Sequence, residues 1–176
     1  MTDRKPYQRP FLKWAGGKYS LLDELYRHIP EGMRLIEPFV GGGSVFINSD
    51  KHATYLLADI NTDLINLYQM LAAVPDEVTR LSRQMFTLMN NDDGYRAIRD
   101  EFNAQLLDGP ARAATFLYLK RHCFNGLIRY NHNNQFNVSW GKYRAPYFPE
   151  VELTAFSSMA HNCVFMNAEF RRTLAL

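Results

Sequence analysis

RLIEPFVGGGSVFIN, residues 34–48, and TYLLAD, residues 54–59, are the two stretches that decide the fold. Residues 34–39 and 54–58 are short apolar or β-branched runs bounded by turn residues, which predicts buried strands. Between them, residues 41–44 (GGGS) form a turn that can open a helix through Asn48. Strand, turn, helix and strand make one βαβ unit, and we therefore expect a parallel sheet in an α/β fold.

The rest of the chain is mostly helical in its hydrophobic spacing. Helices are predicted after the capping candidates Asn61 and Thr62, from Pro75 to about residue 90, and over residues 95–106, 110–122 and 149–159. Residues 123–148 are rich in Asn, Gly and Pro and are predicted to be irregular or weakly stranded. Residues 162–166 (NCVFM) read as a strand that returns to the sheet.

Composition sets the class of protein. A chain of 176 residues with 47% hydrophobic side chains can bury its own core. Residues 1–11 lack a signal-peptide apolar run, and no stretch of 18 uncharged apolar residues occurs, so we expect a cytoplasmic protein without a membrane partner. Cys123 and Cys163 lack C-x-x-C spacing, so neither a metal site nor a disulfide is indicated.

The charge distribution is uneven although the net charge is only +2. Residues 111–149 contain no Asp or Glu, six Lys or Arg, and nine aromatic side chains. Cations suit phosphates, and flat rings suit bases, so this basic loop (residues 120–148, with the helix before it) is a candidate nucleic-acid surface. A solvated basic face over an aromatic core explains the composition equally well.

The glycine turn (residues 41–44) is a candidate ligand site. Glycines allow a close backbone approach, and Asp59, at the end of the next strand, can accept hydrogen bonds from both hydroxyls of a ribose. The geometry suits an adenosine ligand, but Phe46 stands where a dinucleotide-binding G-x-G-x-x-G needs its third glycine, which disfavours NAD. The alternative is a tight turn with Asp59 as a helix N-cap.

FLKWAGGK, residues 11–18, resembles a phosphate-binding loop and fails as one. G-x-x-x-x-G-K-[ST] needs a glycine where Leu12 stands and a hydroxyl residue where Tyr19 stands. The segment could instead fold back over the nucleoside, with Trp14 beside the adenine and the Lys18 ammonium near a ligand carboxylate. A Trp in a short segment is, however, more often a core anchor.

The motifs FLKWAGGK, EPFVGGGSVF, LADIN, FNGLIRYN, FNVSWGKY and PYFPE follow one another in this order. The series resembles the DNA adenine methyltransferase (Dam) family over about residues 10–167. The resemblance implies methyl transfer from S-adenosylmethionine to adenine N6 in short duplex sites such as GATC, with base flipping. It implies a partial Rossmann-like methyltransferase sheet (residues 10–60), a helical target-recognition insertion (61–160) and a return strand with a tail (161–176).

The resemblance also assigns residues. The positions that match cofactor-contacting residues of the family are Trp14, Lys18, Phe39, Gly41, Gly43 and Asp59. The positions that match its DNA-contacting residues are Lys13, Phe124, Asn125, Leu127, Arg129 and Tyr143. Phe124 stands where relatives often have a tyrosine that fills the gap left by the flipped adenine. The implied partners are S-adenosylmethionine and double-stranded DNA, for a nucleoid-associated monomer without a metal.

One family motif is missing. The catalytic Asp-Pro-Pro-Tyr does not occur in the sequence, and the tail EFRRTLAL is expected to depart from the family pattern. We therefore expect a truncated methyltransferase with little activity and a sheet short of strands. The alternative is a methyltransferase-like DNA-binding protein without chemistry; a nucleotide or NAD enzyme is the third possibility.

Overall fold

The computed structural model describes residues 6–176 and contains a three-stranded parallel sheet. Strands β1 (Arg34–Glu37), β2 (Thr54–Asp59) and β3 (Cys163–Asn167) lie in the order β1-β2-β3. Leu35 pairs with Tyr55, which in turn pairs with Cys163. The predicted parallel sheet and return strand are confirmed, and β1 and β3 form the two edges of this sheet.

The helix predicted after the glycine turn is wrong. Only a single 3₁₀ turn, Phe46–Asn48, follows the glycines. Gly43 has a φ of 81°, which a helix cannot contain, and the Asn48 side chain ends the turn by donating to the carbonyls of Ser44 (2.8 Å) and Gln8 (2.9 Å). The β1–β2 connection is consequently a compact loop that leaves the carboxyl ends of both strands accessible.

Seven α-helices are present in the described part of the chain. They are α1 (Leu22–His28), α2 (Thr62–Ala73), α3 (Pro75–Leu88), α4 (Asp92–Asn103), α5 (Gly109–His122), α6 (Glu150–Ala160) and α7 (Phe170–Leu174). The five helices from α2 to α6 are the predicted ones, whereas α1 and α7 were not predicted. Asn61 caps α2 by accepting from the Leu64 amide at 2.8 Å, as its position predicts.

The core joins the sheet to the helical part. Leu57 and Phe165 are paired on β2 and β3 and face an aromatic cluster that includes Tyr68 of α2 and Phe156 of α6. Helix α5 is buried on every side over residues 113–120 and is packed by α2, α3 and α4. The fold is thus mixed α/β with a partial Rossmann-like sheet, while the division into three segments stays a prediction. None of the helices in residues 6–176 is long and apolar enough to cross a membrane.

Candidate cofactor cleft and nucleic-acid interface

The glycine turn forms one wall of a cleft at the carboxyl ends of β1 and β2. This glycine-turn cleft encloses about 240 Å³. Its lining includes five of the six predicted cofactor positions, namely Trp14, Lys18, Phe39, Gly41 and Asp59. The fold brings these residues together because the N-terminal segment lies across the turn that follows β1, while Asp59 ends the neighbouring strand.

Asp59 holds the glycine turn against β2. Its Oδ2 accepts a hydrogen bond from the Gly41 amide at 3.0 Å, and its Oδ1 accepts one from the Asn61 amide at 3.0 Å. Asp59 is not the N-cap of α2, since Asn61 has that role. A carboxylate has about four acceptor sites, so two remain for ligand hydroxyls.

Trp14 packs directly on the glycine turn. A Cβ on Gly41 would lie 3.0 Å from the indole Nε1, and one on Gly42 would lie 3.1 Å from Trp14 Cβ. The indole can approach this closely because both positions are glycine, and Gly41 has a φ of 49°. The Tyr68 hydroxyl donates to the Gly41 carbonyl at 2.6 Å and fixes the turn from the core side.

Gly43 is the predicted cofactor residue that does not line the cleft. Its φ is 81°, and an added Cβ would lie 2.6 Å from a ring carbon of Phe46. The structural role of Gly43 is to turn the chain so that the Phe46 ring can enter the core. Phe39 lies at the rim, 60% exposed, with its ring 5.4 Å from that of Phe170 in α7.

Lys18 is paired inside the protein. Its Nζ donates to the Phe39 carbonyl and lies 3.1 Å from Oε1 of Glu37, which is 7% exposed. Neither oxygen of Glu37 receives an aligned hydrogen bond from residues 6–176. Burial raises the pKa of Glu37 to about 7, against the opposing attraction of Lys18. A Lys ammonium has three donors, so a ligand carboxylate could still be reached.

The predicted DNA-contacting residues cluster around a turn of residues 124–127. Phe124 and Leu127 are 51% and 38% exposed, and Asn125 has a φ of 53° followed by Gly126 at 63°. Two successive left-handed residues make a sharp turn that projects the ring of Phe124 outward. An exposed ring on such a turn is suited to stacking against a base.

Lys13 and Tyr143 brace this 124–127 turn. The Tyr143 hydroxyl accepts from the Asn125 amide at 3.1 Å, and Lys13 Nζ lies 5.1 Å from the centre of the Tyr143 ring. A Cβ on Gly126 would lie 2.7 Å from Lys13 Cβ. The N-terminal segment therefore touches the turn directly.

Arg129 lies on the exposed surface beyond the turn. Its Nε and one terminal nitrogen donate to the side chain (2.7 Å) and backbone oxygen (2.9 Å) of Asn137. The other terminal nitrogen remains for a ligand. The loop around it is irregular, with isolated bridges between Cys123 and Trp140 and between Tyr130 and Phe136, as the sequence predicts.

The six positive charges of the basic region divide into two groups. Arg112, Lys120 and Arg121 are occupied inside the fold by Asp63, the Gly126 carbonyl and the carbonyls of Phe11 and Tyr147 respectively. Arg129, Lys142 and Arg144 are exposed. Only the second group forms a solvated basic face. The six charges counted in the sequence are therefore twice the number that this face presents to solvent.

Three residues that matter at these sites were missed from the sequence: Glu37, Asp63 and Lys120. Glu37 follows the apolar residues Leu35 and Ile36, which was a weak signal of burial, whereas Asp63 and Lys120 stand beside polar or charged residues and gave no such signal. Glu37 and Asp63 have partners far along the chain, and the contacts of Lys120 with Gly126 and Trp14 depend on tertiary packing, so the pattern could not name them. No group of three or more His, Cys, Asp or Glu side chains in residues 6–176 is arranged to hold a metal ion.

Comparison with known proteins decides the family. Residues 14–176 match the profile of the D12 class N6 adenine-specific DNA methyltransferases. The chain belongs to this family. The match extends through residue 176, so the expectation that the tail departs from the family pattern is wrong.

Curated relatives agree with this assignment. The chain is 52% identical over 168 residues to a DNA adenine methylase of Serratia marcescens, covering 95% of this chain and 62% of the relative. It is 48% identical over 168 residues to the DNA adenine methylase of Escherichia coli strain K12, covering 95% and 60%. It is 47% identical over 164 residues to a DNA N-6-adenine-methyltransferase of Escherichia phage P1, covering 93% and 22%. The chain thus spans about three fifths of the DNA adenine methylases that it matches.

Proposed function

We propose that this chain binds S-adenosylmethionine in the glycine-turn cleft and duplex DNA along the exposed face of the basic loop, as part of a DNA adenine N6-methyltransferase. The proposed target is a GATC-type site from which the adenine is flipped. Such a protein would act in the cytoplasm, at the nucleoid, and as a monomer.

One observation carries this proposal: two adjacent residues reach the two candidate sites. Trp14 packs on Gly41 and Gly42 of the cleft, while Lys13 contacts Gly126 and Tyr143 at the 124–127 turn. A methyl donor in the cleft would therefore lie close to a base held at the turn. Methyl transfer needs this arrangement because donor and acceptor react only when they are held together.

The cleft fits the donor in its chemistry. S-adenosylmethionine supplies the methyl group and carries a ribose, an adenine and an amino-acid carboxylate. Asp59 retains acceptor sites for the ribose hydroxyls, and Lys18, whose side chain is 29% exposed, can attract a carboxylate. Gly41 and Gly42 let the Trp14 indole lie against the turn, where it lines the cleft beside Asp59. These residues bind and orient the donor and are not proposed to exchange protons with it.

The exposed turn fits a flipped base and its neighbours. Phe124 can occupy the gap left in the stack, and Arg129 can reach a guanine edge once it turns away from Asn137. Lys142 and Arg144 would hold phosphates without reading sequence.

This chain alone is proposed to have little turnover. Its sequence lacks the Asp-Pro-Pro-Tyr that in the family accepts hydrogen bonds from the adenine amino group. The second candidate function, DNA binding without chemistry, is favoured by the exposed Phe124 ring on the 124–127 turn and by the exposed cations Arg129, Lys142 and Arg144 of the same loop.

Calorimetric titration tests the cofactor site. S-adenosylhomocysteine should bind, NAD and ATP should not, and Asp59→Ala should weaken binding at least tenfold, since it removes a ribose acceptor and frees the Gly41 amide. Asp50→Ala is the matched control, because Asp50 is an exposed carboxylate outside the cleft lining. Equal loss in both variants would contradict the assignment.

Anisotropy titrations and a radiolabelled-donor assay test the DNA site and the chemistry. A GATC duplex should bind more tightly than one of equal composition without the site. Arg129→Ala should reduce that preference, while Arg144→Ala should weaken both duplexes alike. Brisk methyl transfer would refute the expectation of low turnover. Salt-sensitive binding without any transfer would favour the binding protein.

A further inference from the structure

Lys120 occupies an unusual position between the two candidate sites. It lies in the last turn of α5 and is 1% exposed. Its ammonium donates to the carbonyl oxygen of Gly126 and lies 5.0 Å from the centre of the Trp14 ring. One buried cation therefore touches both the 124–127 turn and a wall of the glycine-turn cleft.

A charge in this position is costly unless its contacts replace water. No carboxylate of residues 6–176 is within ion-pair distance of Lys120, and burial lowers its pKa to about 8. It remains mainly an ammonium at neutral pH. The carbonyl of Gly126, the ring face of Trp14 and the carboxyl end of α5 are the groups that compensate the charge.

Both groups that contact Lys120, the 124–127 turn and the Trp14 ring, depend on neighbouring contacts for their conformation. Asn125 has a φ of 53°, a sparsely populated conformation for a residue with a side chain that its surroundings must hold, whereas Gly126 at 63° adopts it freely. Trp14 packs on glycines, and no Cβ fixes it from that side. Displacing one partner would leave the ammonium undersolvated and would draw it toward the other.

We propose that Lys120 is a positioning residue that couples occupancy of the glycine-turn cleft to the conformation of the 124–127 turn. A ligand that moves the Trp14 ring shifts the ammonium, and with it the Gly126 carbonyl and the side chains of Phe124 and Asn125. The coupling is reciprocal, so DNA at the turn changes affinity in the cleft by the same factor. The identity of the two ligands rests on the proposed function, whereas the contact itself does not.

A mutant cycle without ligands tests the contact. Trp14→Leu and Lys120→Met should each accelerate amide hydrogen exchange of residues 124–127, by about tenfold, and the double variant should do no more than either single one. Independent effects that multiply in the double variant would overturn the proposal. Lys142→Met is the control, because this exposed charge of the same loop should combine independently with Trp14→Leu. Trp14→Phe, a weaker cation partner, replaces Trp14→Leu should the latter unfold.

Titrations with ligands test the coupling. The affinity of the wild-type chain for S-adenosylhomocysteine should change by at least about fivefold when a GATC duplex is present. Lys120→Met should bring this ratio close to one, and Lys142→Met should keep it although DNA binds more weakly. A wild-type ratio of one, or an unchanged ratio in Lys120→Met, overturns the coupling. If neither ligand binds the wild type, the proposed function fails, and the exchange cycle alone decides the role of Lys120.

Discussion

Replacing Asp63 by Asn should be among the most destabilising isosteric changes in this chain. Asp63 is 7% exposed in the first turn of α2. Its Oδ1 accepts from Nε of Arg112 in α5 at 2.8 Å and lies 2.7 Å from Nη2 of the same guanidinium. Its other oxygen accepts from the Tyr130 hydroxyl at 2.6 Å. One carboxylate therefore ties two helices to the basic loop.

The expected cost follows from what remains after the charge is removed. Asn keeps the size of the side chain but leaves the guanidinium of Arg112, whose side chain is only 15% exposed, without a counter-charge. Breaking one partner of a buried pair costs about 3–5 kcal/mol, a large part of the roughly 5–15 kcal/mol that stabilises a domain. Asp63→Leu with Arg112→Met removes both charges and should cost less than the sum of its single changes.

Urea denaturation at pH 7, followed by circular dichroism and by fluorescence, measures these values. Arg96→Met is the control, because it breaks only the exposed pair with Asp92 on α4, which solvent screens, and should leave the urea midpoint almost unchanged. A cost below about 1 kcal/mol for Asp63→Asn, or strict additivity in the double variant, would refute the reasoning. Either result would mean that solvent screens the Asp63–Arg112 pair, so that its charges interact only weakly.

Three further outcomes are expected. Burial lowers the pKa of His122 from 6.5 to about 4, so its ring is neutral in the fold and takes a proton on unfolding. Its stabilisation, full above pH 6.5, should decline by about 3 kcal/mol as the pH falls to 4, and His122→Phe should remove that part of the slope in urea titrations. Gly43→Ala should lower stability by about 2–4 kcal/mol, since its φ is 81° and the methyl would overlap Phe46; an unchanged melting temperature would contradict this. Lys142→Ala should reduce the salt slope of DNA binding by about one, and an unchanged slope would mean that it contacts no phosphate.

The sequence predicts the strands and most of the helices better than it predicts the partners of the buried charged side chains. The strands at residues 34–37 and 54–59 follow from local apolar patterns, and the cap at Asn61 follows from its side-chain chemistry. The helix expected through Asn48 failed because left-handed Gly43 and the side-chain bonds of Asn48 outweigh local spacing.

At the candidate sites, too, local patterns reveal the residues at strand ends and glycine turns but not the partners of buried charges. Trp14 and Asp59 line one cleft as expected, because strand ends and glycines carry a local signal. Lys120 and Arg112 looked like surface cations in a basic region, and their internal partners depend on tertiary packing. Helix α5 is buried on all sides, so no apolar stripe separated its inward from its outward positions.

The sheet register has a consequence for the order of folding. Tyr55 of β2 pairs with Cys163 of β3, and more than a hundred residues separate them in the chain. Closing so long a loop is entropically slow, whereas α2 to α5 are consecutive helices that pack on one another through shorter loops. We expect the helices to collapse around α5 first and β3 to join last. Until it does, β2 is an open edge on which a newly made chain can pair with the wrong neighbour.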